Sequence, residues 1–150
     1  MSGHGRLRWR LKDFLPIAEA IVVVLDSTAM GGAAYARDAA NMVWDVIHVG
    51  PGPRVVIACN KSDDILALSA KRVKALLEGQ LSALARTRSR YPAFHEGDGA
   101  EPPPPEETVA SAGDAAFSFE ASSPLPVEFV VMSVKRGGGE LRGLFAAVKH

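Results

Sequence analysis

Three aliphatic, β-branched runs constrain this chain more than any other feature: AIVVVLDS at residues 20–27, RVVIACN at 54–60 and VEFVVMS at 127–133. They are continuously apolar rather than alternating, the pattern of parallel strands buried on both faces. Helical spacing lies between and around them. Tyr35, Ala39, Met42, Val43, Val46 and Ile47 predict a helix over residues 33–49, and Val73, Leu76, Leu77, Leu81 and Leu84 predict another over 69–88. Leu7, Leu11, Phe14 and Leu15 predict an opening helix over 6–15, and Leu141, Leu144, Phe145 and Val148 a terminal one over 139–149. Pro51, Gly52 and Pro53 end the helix before the second strand. The resulting order, α-β-α-β-α-loop-β-α, implies right-handed crossovers and a parallel α/β sheet covered on both sides.

Residues 91–126 break this pattern. Seven of the ten prolines fall there, including the run Pro102–Pro105, among Gly, Ser, Ala and acids. The composition predicts an exposed, disordered insertion, with FSFEA at 117–121 alternating as a short strand would. The proline run reads as a spacer before it reads as a docking motif. Elsewhere the composition is that of one globular domain of 150 residues. Seventeen basic and seventeen acidic residues give no net charge, which argues against binding DNA directly through bulk charge. The single cysteine, Cys59, excludes a disulfide framework and fits a reducing compartment. No apolar run approaches the roughly 20 residues of a membrane span, and no signal peptide is visible, so a soluble intracellular chain is expected. The four histidines lack metal-ligand spacing.

In open α/β sheets ligands sit beyond the carboxyl ends of the strands. Here those ends carry Asp26-Ser27, Asn60-Lys61-Ser62-Asp63 and Ser133-Val134-Lys135. An Asp in an N-K-x-D turn has a definite use. Its carboxylate can accept two hydrogen bonds from the N1–H and exocyclic amine of guanine, a donor pair adenine lacks, and matched buried hydrogen bonds discriminate strongly. Asp63 would do this. The Lys61 stem would cover the base plane with its ammonium in water, Asn60 would tie neighbouring loops through its amide, and Ser133, Val134 and Lys135 would offer backbone N–H groups to the guanine carbonyl. The bland alternative is that these residues form a turn, with Asp63 or Asp64 capping the next helix. Their place after a buried strand, with a second S-x-K after the next strand, favours nucleotide recognition.

With those residues in view, NKSD resembles the fourth guanine-nucleotide motif of small GTPases, SVK the fifth, and SGHGRLR the tail of the third. The succession AIVVVLDS, IACNKSD, LSAKRVKALLEGQLSALARTRS, F-x-F, LPVEF and S-x-K-R-G is similar to the beta subunit family of the signal recognition particle receptor. The resemblance implies a three-layer P-loop-NTPase-like sheet, here incomplete, with about three core strands. It further implies GTP as ligand and a guanine site at Asn60, Lys61, Asp63, Ser133, Val134 and Lys135. A receptor alpha subunit is the implied partner, with the ribosome or signal recognition particle indirectly, at the cytosolic face of the endoplasmic reticulum membrane. Trp9 and Phe14 would belong to the switch region facing that subunit.

The departures are equally specific. Residues 1–150 contain no G-x-x-x-x-G-K-[ST] segment, no membrane-spanning helix and no Mg²⁺ ligands of the family pattern, and Val134 stands where Ala is usual. The expectation is a partial G domain without its P-loop half, weak in GTP binding and not catalytic by itself. Residues 20–27 would then form an exposed apolar edge. Two other readings share some of these signals. An Arf-like GTPase fragment of vesicle traffic would also use NKSD, although the long basic helix and LPVEF argue against it. A response-regulator-like fold would use Asp26 as phosphoacceptor and Lys135 as its lysine, but the required acidic pair is missing.

Overall fold

The computed structural model describes residues 17–48, 52–90, 116–136 and the single positions 143, 146 and 148. Strand β1 spans Ala20–Asp26, β2 Arg54–Asn60 and β3 Val127–Val131; helix α1 spans Ala33–Ile47, α2 Ala70–Arg90, and a single turn, α3, Phe119–Ser122. The described strands form one parallel sheet in the order β1-β2-β3, with Ala20 opposite Arg54 and Val55 opposite Val127.

Strand β2 has the environment its sequence predicts. Val55, Val56, Ile57, Ala58 and Cys59 are all at most 1% exposed, because β2 is flanked by a strand on each side. One of its faces, carrying Val55, Ile57 and Cys59, continues into β1 through Val23 and Leu25 and is packed by α1 and α2. Small residues at Ala36, Ala39 and Ala40 let α1 lie close against this face, while Val43, Val46 and Ile47 fill its far end. Val73, Leu77 and Leu81, one helical turn apart, form the buried stripe of α2.

Four expectations need correction. Strand β1 is not buried on both faces: Val22 is 38% and Val24 53% exposed, as befits an edge strand among the described residues. Met42 points outward from α1, and Ala36 and Ala40 take its place on the buried face. The FSFEA stretch is an extended Phe117-Ser118 followed by the α3 turn, not a strand. Its alternation records two inward phenylalanines: Phe117 and Phe119 meet edge to face, and Phe119 meets Phe129 of β3 in the same way. The described residues 117–126, expected to be part of an exposed insertion, instead contribute Phe117, Phe119 and Leu125 to the core. Positions 91–115 and the opening helix at 6–15, with Trp9 and Phe14, lie outside the described residues. Of the terminal helix only residues 143, 146 and 148 are described, and they are helical.

Side chains of α2 hold the returning segment in place. Ser82 Oγ accepts the Phe117 N–H at 2.8 Å, and Glu78 Oε1 accepts the Phe119 N–H at 3.0 Å. These bonds satisfy backbone donors that would otherwise be buried without partners. Lys74 pairs with Glu120 one turn further along. The segment thus runs antiparallel to α2 and delivers the chain to β3, whose end sets one wall of the site below.

Candidate functional site

Parallel strands carry their carboxyl ends to a common rim, and this rim gathers the polar residues. Ser27 N–H donates to the Asn60 carbonyl and Met132 N–H to the Cys59 carbonyl, so β1 and β3 both stay in register with β2 to its last residues. Ser62 N–H donates to the Met132 carbonyl, fastening the turn after β2 to the turn after β3. Between these turns lies a cavity of about 350 Å³ lined by Asn60, Lys61, Asp63, Asp64, Ser133, Val134 and Lys135. All six predicted site residues are therefore brought together, and the volume is at the small end of ligand pockets.

The carboxylate of Asp63 is aimed across the cavity. Its Oδ1 accepts the Ser133 hydroxyl at 2.5 Å, and Lys135 Nζ lies 3.9 Å from Oδ2. Ser133 Oγ also accepts the Arg136 N–H at 3.3 Å, which fixes its hydroxyl as donor toward Asp63. The Ser133 bond is the main reason that Asp63 is held below the usual carboxylate range, with Lys135 and Arg136 assisting and partial desolvation opposing. Asp63 is thus an oriented anion at the pH of a cell.

Asn60 joins the two turns as expected: its Oδ1 accepts the Val134 N–H at 3.3 Å. That bond engages the amide expected to face guanine directly, but its length leaves it weak and easily shared. The turn reading also finds its residue. Asp64 Oδ1 accepts the Leu66 N–H at 2.9 Å, an Asx turn, while Ser69 rather than either aspartate precedes α2. Adjacent carboxylates have divided the two roles, Asp64 building the turn and Asp63 facing the cavity.

Lys61 departs from expectation. Its ammonium is not left to water but sits 2.6 Å from Asp26 Oδ2. Its backbone adopts φ 64°, the left-handed region, which costs a non-glycine residue roughly 1–2 kcal/mol. Asp26 is the site residue that sequence reasoning uses for another purpose. Its Oδ1 accepts both the N–H and the hydroxyl of Thr28, at 3.0 and 2.7 Å, and its own N–H donates to the Tyr35 hydroxyl. The signal was an acid at one strand end matched by a base at the next, on the same rim. A phosphoacceptor role is not what this geometry builds, because both Asp26 oxygens are engaged and Lys135 pairs with Asp63 instead. Cys59, beside the rim, is buried and its thiol is pushed up to about 11 by desolvation, so it is packing rather than chemistry. Among the described residues no group of three or more His, Cys, Asp and Glu side chains is arranged to hold a metal, and no helix is long and apolar enough to cross a membrane.

Comparison with known proteins points to one family. The family model for the signal recognition particle receptor beta subunit matches residues 1–121. Signal recognition particle receptor subunit beta of Mus musculus is 35% identical over 146 residues, covering 93% of this chain and 51% of its own length. The Homo sapiens protein of the same name is 35% identical over 147 residues, covering 94% and 51%. The chain thus spans about half the length of the curated relatives it matches. The structure of the mammalian SRP receptor superposes with a TM-score of 0.69 at 31% identity, over 97% of this chain and 70% of that one. The SRb-GTP/SRX complex from Chaetomium thermophilum superposes with a TM-score of 0.68 at 21% identity, over 95% and 62%, a likeness of fold. The motifs at the strand ends, the fold and the relatives converge: this chain belongs to the signal recognition particle receptor beta subunit family.

Proposed function

We propose that the rim formed by residues 60–64 and 133–135 is the base-recognition end of a guanine-nucleotide site, in a protein that serves as the beta subunit of a signal recognition particle receptor. One observation carries this reading: Asp63, whose carboxylate reaches the facing turn, is held ionised and oriented by Ser133 beside the Val134 backbone. An oriented carboxylate is the acceptor that the N1–H and amine of guanine require, and adenine would leave it unpaired. The acceptor, the nearby backbone N–H groups and the Lys61 stem together fit a purine base. The relatives' structures, an SRb-GTP/SRX complex among them, support guanine nucleotide as the ligand and an alpha-type subunit as the partner. Endoplasmic reticulum membrane association follows the same family reasoning, as does co-translational targeting.

Residues 1–150 supply the base end of such a site but contain no G-x-x-x-x-G-K-[ST] phosphate cradle. Most of the affinity of P-loop proteins for a triphosphate lies in that cradle and its Mg²⁺. The 150-residue chain is therefore a partial G domain that binds GTP weakly and does not hydrolyse it by itself. Calorimetry with GTP is expected to show no low-micromolar binding. A two-dimensional NMR titration with GMP is expected to move the amides of residues 60–64 and 133–135, while AMP leaves them in place. Low-micromolar GTP binding would overturn the weak-binding statement, and equal responses to GMP and AMP would overturn the guanine assignment. The Arf-like reading has no observation in its favour that the receptor reading lacks.

A further inference from the structure

We propose that Asp26, at the end of β1, is a positioning residue for base recognition: it anchors the Lys61 ammonium so that the lysine stem stands as a fixed wall of the base cavity. This rests on the guanine reading above. Lys61 is 35 positions away in sequence and in a different turn, yet its Nζ lies 2.6 Å from Asp26 Oδ2. Asp26 is itself immobilised. Thr28 donates twice to its other oxygen, and its own backbone N–H donates to Tyr35 Oη at 2.8 Å. Tyr35 belongs to α1, which packs against the core, so the anchor is referenced to the rigid body of the domain.

The backbone of Lys61 shows why an anchor is needed. A lysine at φ 64° is held there against its intrinsic preference. Such a conformation persists only when its surroundings over-determine it. The next residues contribute one constraint through Asp64 N–H to the Lys61 carbonyl, and Asp26 contributes the other through the side chain. A free lysine side chain samples many rotamers, and a wall made of one would have to be ordered again at each binding event. Fixing the ammonium at one end and the backbone at the other restricts the four-carbon stem between them, and Lys61 is a residue of the cavity lining. Hydrogen bonds from Lys61 and Thr28 outweigh desolvation and hold Asp26 at about 2, so the anchor stays charged wherever nucleotide is met.

The test uses the full 150-residue chain, with GMP and AMP as probes, and the variants Asp26→Asn, Lys61→Met and the double variant, each checked by thermal melting. Asp26→Asn is expected to weaken GMP binding about fivefold to tenfold and to lower the heteronuclear NOE of the amides at 61–63. Asp26→Asn combined with Lys61→Met is expected to bind GMP no more weakly than Lys61→Met alone, because Asp26 acts only through that lysine. Unchanged GMP binding in Asp26→Asn, or losses that multiply in the double variant, would overturn the proposal. If Asp26→Asn does not fold, Lys61→Gln removes the same ion pair from a half-exposed side chain, and an undiminished NOE at 61–63 would overturn it equally. Wild-type chain that fails to distinguish GMP from AMP would instead remove the guanine reading on which the proposal stands.

Discussion

At the scale of single residues, the rim is governed by two aspartates with opposite tasks. Asp63 presents its charge to the cavity, whereas Asp26 spends its charge on neighbours. Desolvation pushes the Asp26 carboxyl up, but hydrogen bonds from Lys61 and Thr28 outweigh this and bring it down to about 2. The unfolded value is about 3.9. The folded value is the lower one, so on acidification the unfolded chain takes up the proton first. The stabilisation is complete above about pH 4 and is lost as the pH falls through about 2. With the side chain 26% exposed, its size is on the order of 2 kcal/mol. Urea melts at pH 5 and pH 2.5 are expected to show a larger drop for wild type than for Asp26→Asn, and equal drops would contradict the assignment. Lys61 is shifted upward by the same pair, chiefly through the Asp26 hydrogen bond, so its contribution is present through neutral pH and fades only as alkali deprotonates it.

At the scale of elements, α2 does most to fix the geometry of the site. It packs the sheet with Val73, Leu77 and Leu81, and it holds Phe117 and Phe119 through Ser82 and Glu78. Leu77 is fully buried. Leu77→Ala is expected to cost roughly 2–5 kcal/mol in chemical denaturation, and a loss below about 1 kcal/mol would mean that the helix packs differently. These elements differ in how plainly the sequence announces them. Strand β2 is legible residue by residue, because a strand with neighbours on both sides must be apolar throughout. Strand β1 has the same composition but leaves Val24 half exposed, since composition reports what a residue prefers and not what covers it. The Phe117 and Phe119 alternation is read as a strand because period two has the same appearance in an extended segment that turns into a helix. Asn60, Asp63 and Ser133 are legible as a site from their places at strand ends. The Asp26–Lys61 pair is signalled only by an acid and a base at neighbouring strand ends, and its geometry rests on a left-handed backbone at Lys61 that no propensity for lysine foretells.

At the scale of the whole chain, the described sheet ends in strands whose outer edges and faces carry aliphatic residues. Val22, Val24 and Val131 are 38%, 53% and 51% exposed. An apolar parallel strand with an unpaired edge is a template for further strand addition. Size-exclusion chromatography with light scattering on the 150-residue chain is expected to show concentration-dependent association. A monodisperse monomer at high concentration would mean that the β1 edge is covered. The same scale separates what this chain carries from what its relatives carry. It spans about half the length of the curated relatives, and its rim carries the residues proposed to choose a base.

The central claim is that Asp63 recognises guanine through paired hydrogen bonds, and Asp63→Asn tests it most directly. An amide at this position offers a donor as well as an acceptor. It would therefore clash with the guanine amine but match xanthine, which carries a carbonyl at the same ring position. NMR titrations of the 150-residue chain with GMP and XMP are expected to show the variant losing GMP affinity at least about tenfold while gaining response to XMP at residues 60–64 and 133–135. A variant that keeps wild-type affinity for GMP, or that loses GMP without gaining XMP while remaining folded, would contradict the account.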